Sequence, residues 1–263
     1  MVLGESTKFR RRQALNTLPA DLYNSFRGII TRIRERGSQE QLGMKVLMWL
    51  HCAYRPLELV ELQHALSVEK NHTDLDKDNI PSRKALLDSC LGLVVVDEET
   101  LTVRFVHSTL EEYFRENAKA EFPNGCSSIA KTCLTYLNFG KLRQHCSNID
   151  TFKENTKGYV FLDYAAHYWG IHVEQQCTND LIRLAKPIVD HKSERPPCAI
   201  QALYSIFHNP SSRPLIAQKF SGIHAIAYFG LSDIMRQFFE VGRHMGPQDE
   251  FGRTPLSWAA EYV

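Results

Sequence analysis

The chain has 263 residues, 43% hydrophobic and 23% charged, a composition that excludes collagen-like, coiled-coil and wholly disordered chains. Its 31 Lys+Arg against 30 Asp+Glu leave a formal charge of +1, so no global field draws it to nucleic acid or an anionic membrane. No run approaches the ~18 apolar residues of a membrane span, and the start, MVLGEST then KFRRR, lacks the apolar core of a secretory signal. The expected location is cytoplasmic, and the length suits about two domains.

Residues 1–17 read as a leader, whose basic run Lys8–Arg12 is a solvated face rather than a localisation signal or phosphate contact. Residues 20–36 place Leu22, Phe26, Ile29, Ile30 and Ile33 on one helical stripe. Residues 40–54 repeat it with Leu42, Val46, Trp49, Leu50 and Ala53. A shorter helix follows Pro56, with Leu59, Leu62 and Leu66 inward, and 67–81 is a polar, solvated loop. Ser82 caps a fourth helix carrying Leu86, Leu87 and Cys90.

The period then changes. Leu93–Asp97 is β-branched, Asp97–Thr100 is a polar turn, and Leu101, Val103 and Phe105 alternate with Thr102 and Arg104. This predicts a hairpin in which Val103–Val106 pairs antiparallel with Val94–Asp97. Ser108–Glu111 reads as a capping box opening a helix with Leu110, Tyr113 and Phe114. Helices followed by a small hairpin are the order of a winged-helix module, assigned to 18–122.

Residues 123–208 form a helical domain. Its stripes are Ile129, Cys133, Tyr136 and Leu137, then Phe161, Leu162, Ala165, Ala166, Trp169 and Val173, then Leu181, Ile182, Leu184, Ala185 and Ile188. Ser147–Gly158 and Asp190–Pro197 read as polar gaps, and 209–220 as a linker.

Residues 221–263 contain an internal repeat. SGIHAIA at 221–227 aligns with TPLSWAA at 254–260 at an offset of 33, the ankyrin period. Leu231–Gly242 supplies a second helix and its stop, and Asp249–Gly252 the intervening turn. The first copy is degenerate, with Gly222 where Pro is expected, and the second is cut after one helix. That last helix is expected to turn Leu256, Ala259 and Ala260 inward and to leave Trp258 part exposed.

Four segments carry a family resemblance: ALNTLPADLY (14–23), LMWLHCAYRPLELVEL (47–62), LDSCLGLVVVD (87–97) and VRFVHSTLEEYF (103–114). They resemble the region just after the NACHT ATPase of fungal NLR-like (STAND) receptors, and FLDYAAHYW (161–169) resembles the helical domain that follows. The winged helix is also similar to one labelled after GPI inositol-deacylase, a label that implies no catalysis. The resemblance implies a mainly α chain: a winged helix with a small β-hairpin, a helical domain and the start of an ankyrin array. It implies a middle piece of such a receptor, or a truncated gene model, because the ATPase and its Gly-x-x-x-x-Gly-Lys-Ser/Thr loop are absent here.

Within the resemblance, His107 is the residue that faces nucleotide phosphates when a NACHT domain is supplied, and otherwise a histidine packed between strand and helix. Gln248, Glu250 and Arg253 lie on the turn through which ankyrin arrays bind protein. DNA binding is disfavoured: Arg83 and Lys84 on the candidate recognition helix are offset by Asp88 and by Asp97–Glu99 on the wing. The seven cysteines show no Cys-x-x-Cys pair and read as reduced, mostly buried thiols. His167 and His172 lack the spacing of a zinc pair, no nucleophile elbow exists, and no cofactor is expected. The expected function is a non-enzymatic regulatory and protein-interaction segment; the alternatives are a standalone adaptor or an unrecognised hydrolase.

Overall fold

Helix α1 (22–34) opens the part of the chain that this computed structural model describes: residues 22–70, 72–189, 196–205, 217, 219–239 and 247–262. The chain divides into two compact units, one of 1–51 with 82–123 and one of 52–81 with 124–263. Among the described residues it is mainly α, with one two-stranded sheet. The expected leader at 1–17 lies outside the described residues.

In the first unit α1 is followed by α2 (Ser38–Cys52), α4 (Arg83–Ser89), strands β1 (Val94–Val96) and β2 (Val103–Phe105), and α5 (Ser108–Glu121). The helical stripes bury as their spacing requires, with Phe26, Ile30, Ile33, Val46 and Trp49 all inside. Gly43 lets α2 close on α4: a Cβ there would lie 2.5 Å from the carbonyl oxygen of Ser89 and 2.9 Å from Ile33 Cγ2. Ser82 Oγ accepts the N–H of Ala85 and caps α4 as expected.

The hairpin has the expected register, Val94 opposite Phe105 and Val96 opposite Val103. Val103 and Phe105 are buried, while Arg104 and Val106 face solvent. The Phe105 ring stacks on Phe114 of α5 at 5.3 Å, and this buried face anchors a hairpin that would be marginal alone. One local expectation fails. The cap of α5 is His107, not Ser108, because His107 keeps extended backbone and presents its ring nitrogen to the first turn.

The second unit holds α3 (Leu59–Ser67), α6 (Gly125–Leu137), α7 (Ile149–Thr156), α8 (Leu162–Gln175), α9 (Asn179–Val189), α10 (Cys198–Tyr204), α11 (Gly222–Tyr228), α12 (Ser232–Phe239) and α13 (Pro255–Tyr262). Its core lies where α8 packs on α6 and α10, with Tyr136, Phe161, Tyr164 and Trp169 buried. Loop 67–81 is polar as expected but tied down: Gly140 N–H donates to the Thr73 carbonyl at 2.9 Å, and Tyr159 O–H to Asp74 at 2.5 Å.

Four expectations for this unit are corrected. The polar gap at 147–158 contains α7, capped by Asn148 Oδ1 accepting the Thr151 N–H; with no buried residue, it carries no apolar stripe for periodicity to reveal. Cys146 and Cys198 are joined as a disulfide rather than held as free thiols, because backbone bonds across 52 residues bring them together. The linker at 209–220 lies mostly outside the described residues, but its end does not read as linker, since Ala217 and Phe220 are buried. In α13, Pro255 and Trp258 point inward, Ala259 is half-buried, and Leu256, 78% exposed, and Ala260 face outward, against the expected face of Leu256, Ala259 and Ala260.

The two segments aligned at an offset of 33 open their helices with similar caps. Ser221 and His224 close the start of α11 reciprocally: the Ser221 N–H donates to His224 Nδ1 at 3.0 Å, and Ser221 Oγ lies 2.8 Å from the same nitrogen. Thr254 and Ser257 do the same for α13 through their hydroxyls. Gly222 begins α11 against α9, where a Cβ would lie 2.4 Å from Val189 Cα.

Candidate functional site

His107 ends β2 and opens α5, and it is exposed rather than packed. Its Nδ1 accepts the Thr109 N–H at 3.1 Å and lies 2.7 Å from Thr109 Oγ1. A neutral imidazole that accepts at Nδ1 carries its proton on Nε2. The cap therefore selects the tautomer and leaves Nε2–H as the donor on an exposed ring. The turn at the other end of the hairpin is acidic. Asp97 Oδ1 accepts the N–H groups of Glu99 (3.0 Å) and Thr100 (3.1 Å), and Arg104 pairs with Oδ2 at 3.3 Å. The backbone donors of Thr100 and Glu99 hold the Asp97 carboxyl below its ordinary range. Arg83, offered by a recognition-helix reading, is spent on Glu98 at 2.5 Å.

The turn at 247–253 is built around Asp249, whose side chain is fully buried. Oδ1 accepts the N–H groups of Phe251 (2.8 Å) and Arg253 (2.9 Å), and Oδ2 accepts Arg253 Nε and Trp258 Nε1, both at 3.0 Å. Burial alone would raise this carboxyl, but these donors outweigh it and hold it below its ordinary range. Arg253 stacks its guanidinium 3.7 Å from the Trp258 ring centre, and Phe220 meets the same ring edge-on at 5.1 Å. Trp258 is thus fully buried, against the expectation of a part-exposed ring.

Of the three turn residues singled out from the sequence, Gln248 is exposed, Glu250 accepts the Lys219 N–H at 2.5 Å, and Arg253 is bound within the turn. The structure brings these three together on one turn; His107 belongs to the other unit.

One polar cluster was not singled out from the sequence. Arg55 grips Glu61 with both Nη atoms (2.8 and 2.7 Å) and reaches Asp163 at 3.0 Å. Glu61 is 7% exposed and also accepts the Glu58 N–H, so one carboxylate closes α3's first turn and neutralises the arginine. Tyr164, 5.3 Å beneath Arg55, accepts the Tyr54 N–H and meets His172 Nε2 at 2.9 Å. The only signal for this was Arg55-Pro56 followed by paired acids, and its partner Asp163 is more than a hundred residues away. Burial holds His64, His167 and His224 below the ordinary imidazole range, so they pack as neutral rings at pH 7. Among the described residues no group of three or more His, Cys, Asp or Glu could hold a metal, and no helix is long and apolar enough to cross a membrane.

Residues 31–123 match the family model described as the GPI inositol-deacylase winged helix domain. A winged-helix domain is present. The match covers the end of α1, then α2, α3, α4, the hairpin and α5, and stops short of the second unit's main body. No curated protein and no solved structure matches the chain.

Proposed function

We propose that the chain is a non-catalytic regulatory segment of a STAND- or NLR-like signalling receptor, resident in the cytoplasm, in which the winged helix clamps a NACHT ATPase. The observation that carries this reading is the junction of β2 and α5. There a winged-helix hairpin ends in an exposed histidine whose Nδ1 is consumed by the helix cap, leaving a neutral Nε2–H donor suited to a phosphate oxygen. The acidic wing supports a protein partner over nucleic acid. The nucleotide itself would be held by the ATPase, so the chain needs no cofactor of its own.

The ankyrin part of the proposal rests on the repeated cap at Ser221/His224 and Thr254/Ser257. Protein contact falls to the turn tip, with Gln248 exposed and Phe251 57% exposed, while Glu250 and Arg253 shape the turn. The adaptor reading gains from that exposed Phe251 and from Leu256, which give a protein surface without an ATPase. Titration calorimetry of the chain with a separately supplied NACHT domain from such a receptor, loaded with ADP, separates the two. Binding that His107→Ala weakens with ADP but not without nucleotide is expected. Absence of heat with any NACHT domain, together with unimpaired capture of a protein ligand, overturns the clamp.

A further inference from the structure

We propose that Cys146 and Cys198 form a redox-operated staple, made by hydroperoxide-class oxidants and opened by small thiols. The proximity of the two residues does not depend on the sulfur bond. Cys198 N–H donates to the Gln144 carbonyl at 3.0 Å, Ala199 N–H to the Leu142 carbonyl at 3.1 Å, and His145 pairs with Pro197 in an antiparallel bridge. These bonds hold the two Cα atoms 6.0 Å apart, inside the range a disulfide spans. The reduced thiols therefore stay within reach of one another, and closing the 52-residue separation has already been accomplished by the backbone.

Asn155 of α7 is the residue placed to promote the exchange. Its Nδ2 lies 3.7 Å from Cys198 Sγ and 4.0 Å from Cys146 Sγ, so its N–H favours thiolate at either sulfur. Both cysteines are buried, at 1% and 0% exposure, which excludes a protein oxidoreductase from the closed state and lets a small oxidant in only as the cover opens. The cover is α7, which buries no residue of its own and opens at low cost. In the forward step one thiolate attacks the peroxide O–O bond, giving a sulfenic acid and releasing water or an alcohol. The second thiolate then attacks that sulfur, the S–O bond breaks, and water leaves. Two electrons pass from the dithiol to the peroxide. Reduction by a small thiol runs through a mixed disulfide and returns both protons.

What the staple controls is α10. All seven of its residues are buried, and it packs against α7, α8 and α11. Oxidation fixes its first residue to the 142–146 segment, and reduction leaves it held by hydrogen bonds and packing alone.

The test uses the full chain, reduced and then treated with hydrogen peroxide. The expected product is 2 Da lighter, with Cys146 linked to Cys198 in the peptide map. It should melt about 5 °C or more above the reduced form, and dithiothreitol without denaturant should reverse both changes. Cys146→Ser and Cys198→Ser should each remove the mass change and the difference in melting. If a variant does not fold, alkylation footprinting of the reduced and oxidised wild type decides by itself. A link between any other pair, no link at all, or a Cys146–Cys198 bond that resists dithiothreitol in the native state overturns the staple.

Discussion

The wing and the C-terminal turn solve one problem with the same residue type in opposite surroundings. Each uses an aspartate to collect two backbone N–H groups, and each adds an arginine to that carboxylate. Asp97 does this at the surface, with Arg104 more than half exposed, whereas Asp249 is fully buried and also takes the indole N–H of Trp258. At the surface, water replaces any lost partner, so the wing's stability comes from Phe105 and Val103 beneath it. In the interior nothing replaces Asp249, so the polar group itself anchors the last helix.

The largest expected effect is therefore at Asp249. Asp249→Ala leaves a guanidinium, an indole N–H and two backbone donors without their acceptor. It should cost about 3–5 kcal/mol, read by urea denaturation, with α13 losing hydrogen-exchange protection first. A loss as small as that of a surface turn would end the contrast between the two aspartates.

Next is the wing's apolar anchor. Phe105→Ala should cost about 3 kcal/mol by removing a ring that is 5% exposed. A loss under about 0.5 kcal/mol would mean the hairpin slips by one residue to expose the other face.

Acid should weaken the C-terminal turn. The folded Asp249 carboxyl lies below its ordinary value of about 3.9, so as pH falls the unfolded chain takes up the proton first. Its stabilisation is present above about pH 4 and is lost as pH falls through the folded value. Asp249→Asn should flatten that acid arm in pH-dependent melting curves, whatever it does to stability at pH 7.

The smallest effect belongs to the wing's own aspartate. Asp97→Ala should leave the global denaturation midpoint within error and speed hydrogen exchange only at Glu99 and Thr100. A midpoint shift matching that of Asp249→Ala would show the wing to be electrostatically anchored after all.

Legibility in the sequence followed the same division. Periodicity exposed the apolar faces: Phe26, Ile30 and Ile33 on α1, the alternation of Val103 and Phe105, and the wide stripe of α8 are buried as their spacing predicted. It failed where polar bonds decide. Helix α7 buries nothing and so leaves no apolar stripe, His107 took the cap that a serine was expected to hold, and Trp258 is enclosed by an arginine and an aspartate. Arg55 with Glu61 and Asp163, and Cys146 with Cys198, depend on pairings across long separations that no local pattern encodes.

The glycine at 222 bears on which sequences this junction of helices can take. At position 255, thirty-three residues later, proline stands at the matching first residue of α13. The slot at 222 faces the main chain of Val189. Proline, alanine and every larger residue would meet that backbone, so the close approach of α11 to α9 fixes the glycine. In a saturation library, 222 should tolerate glycine alone, because any side chain there would push α11 away from the end of α9.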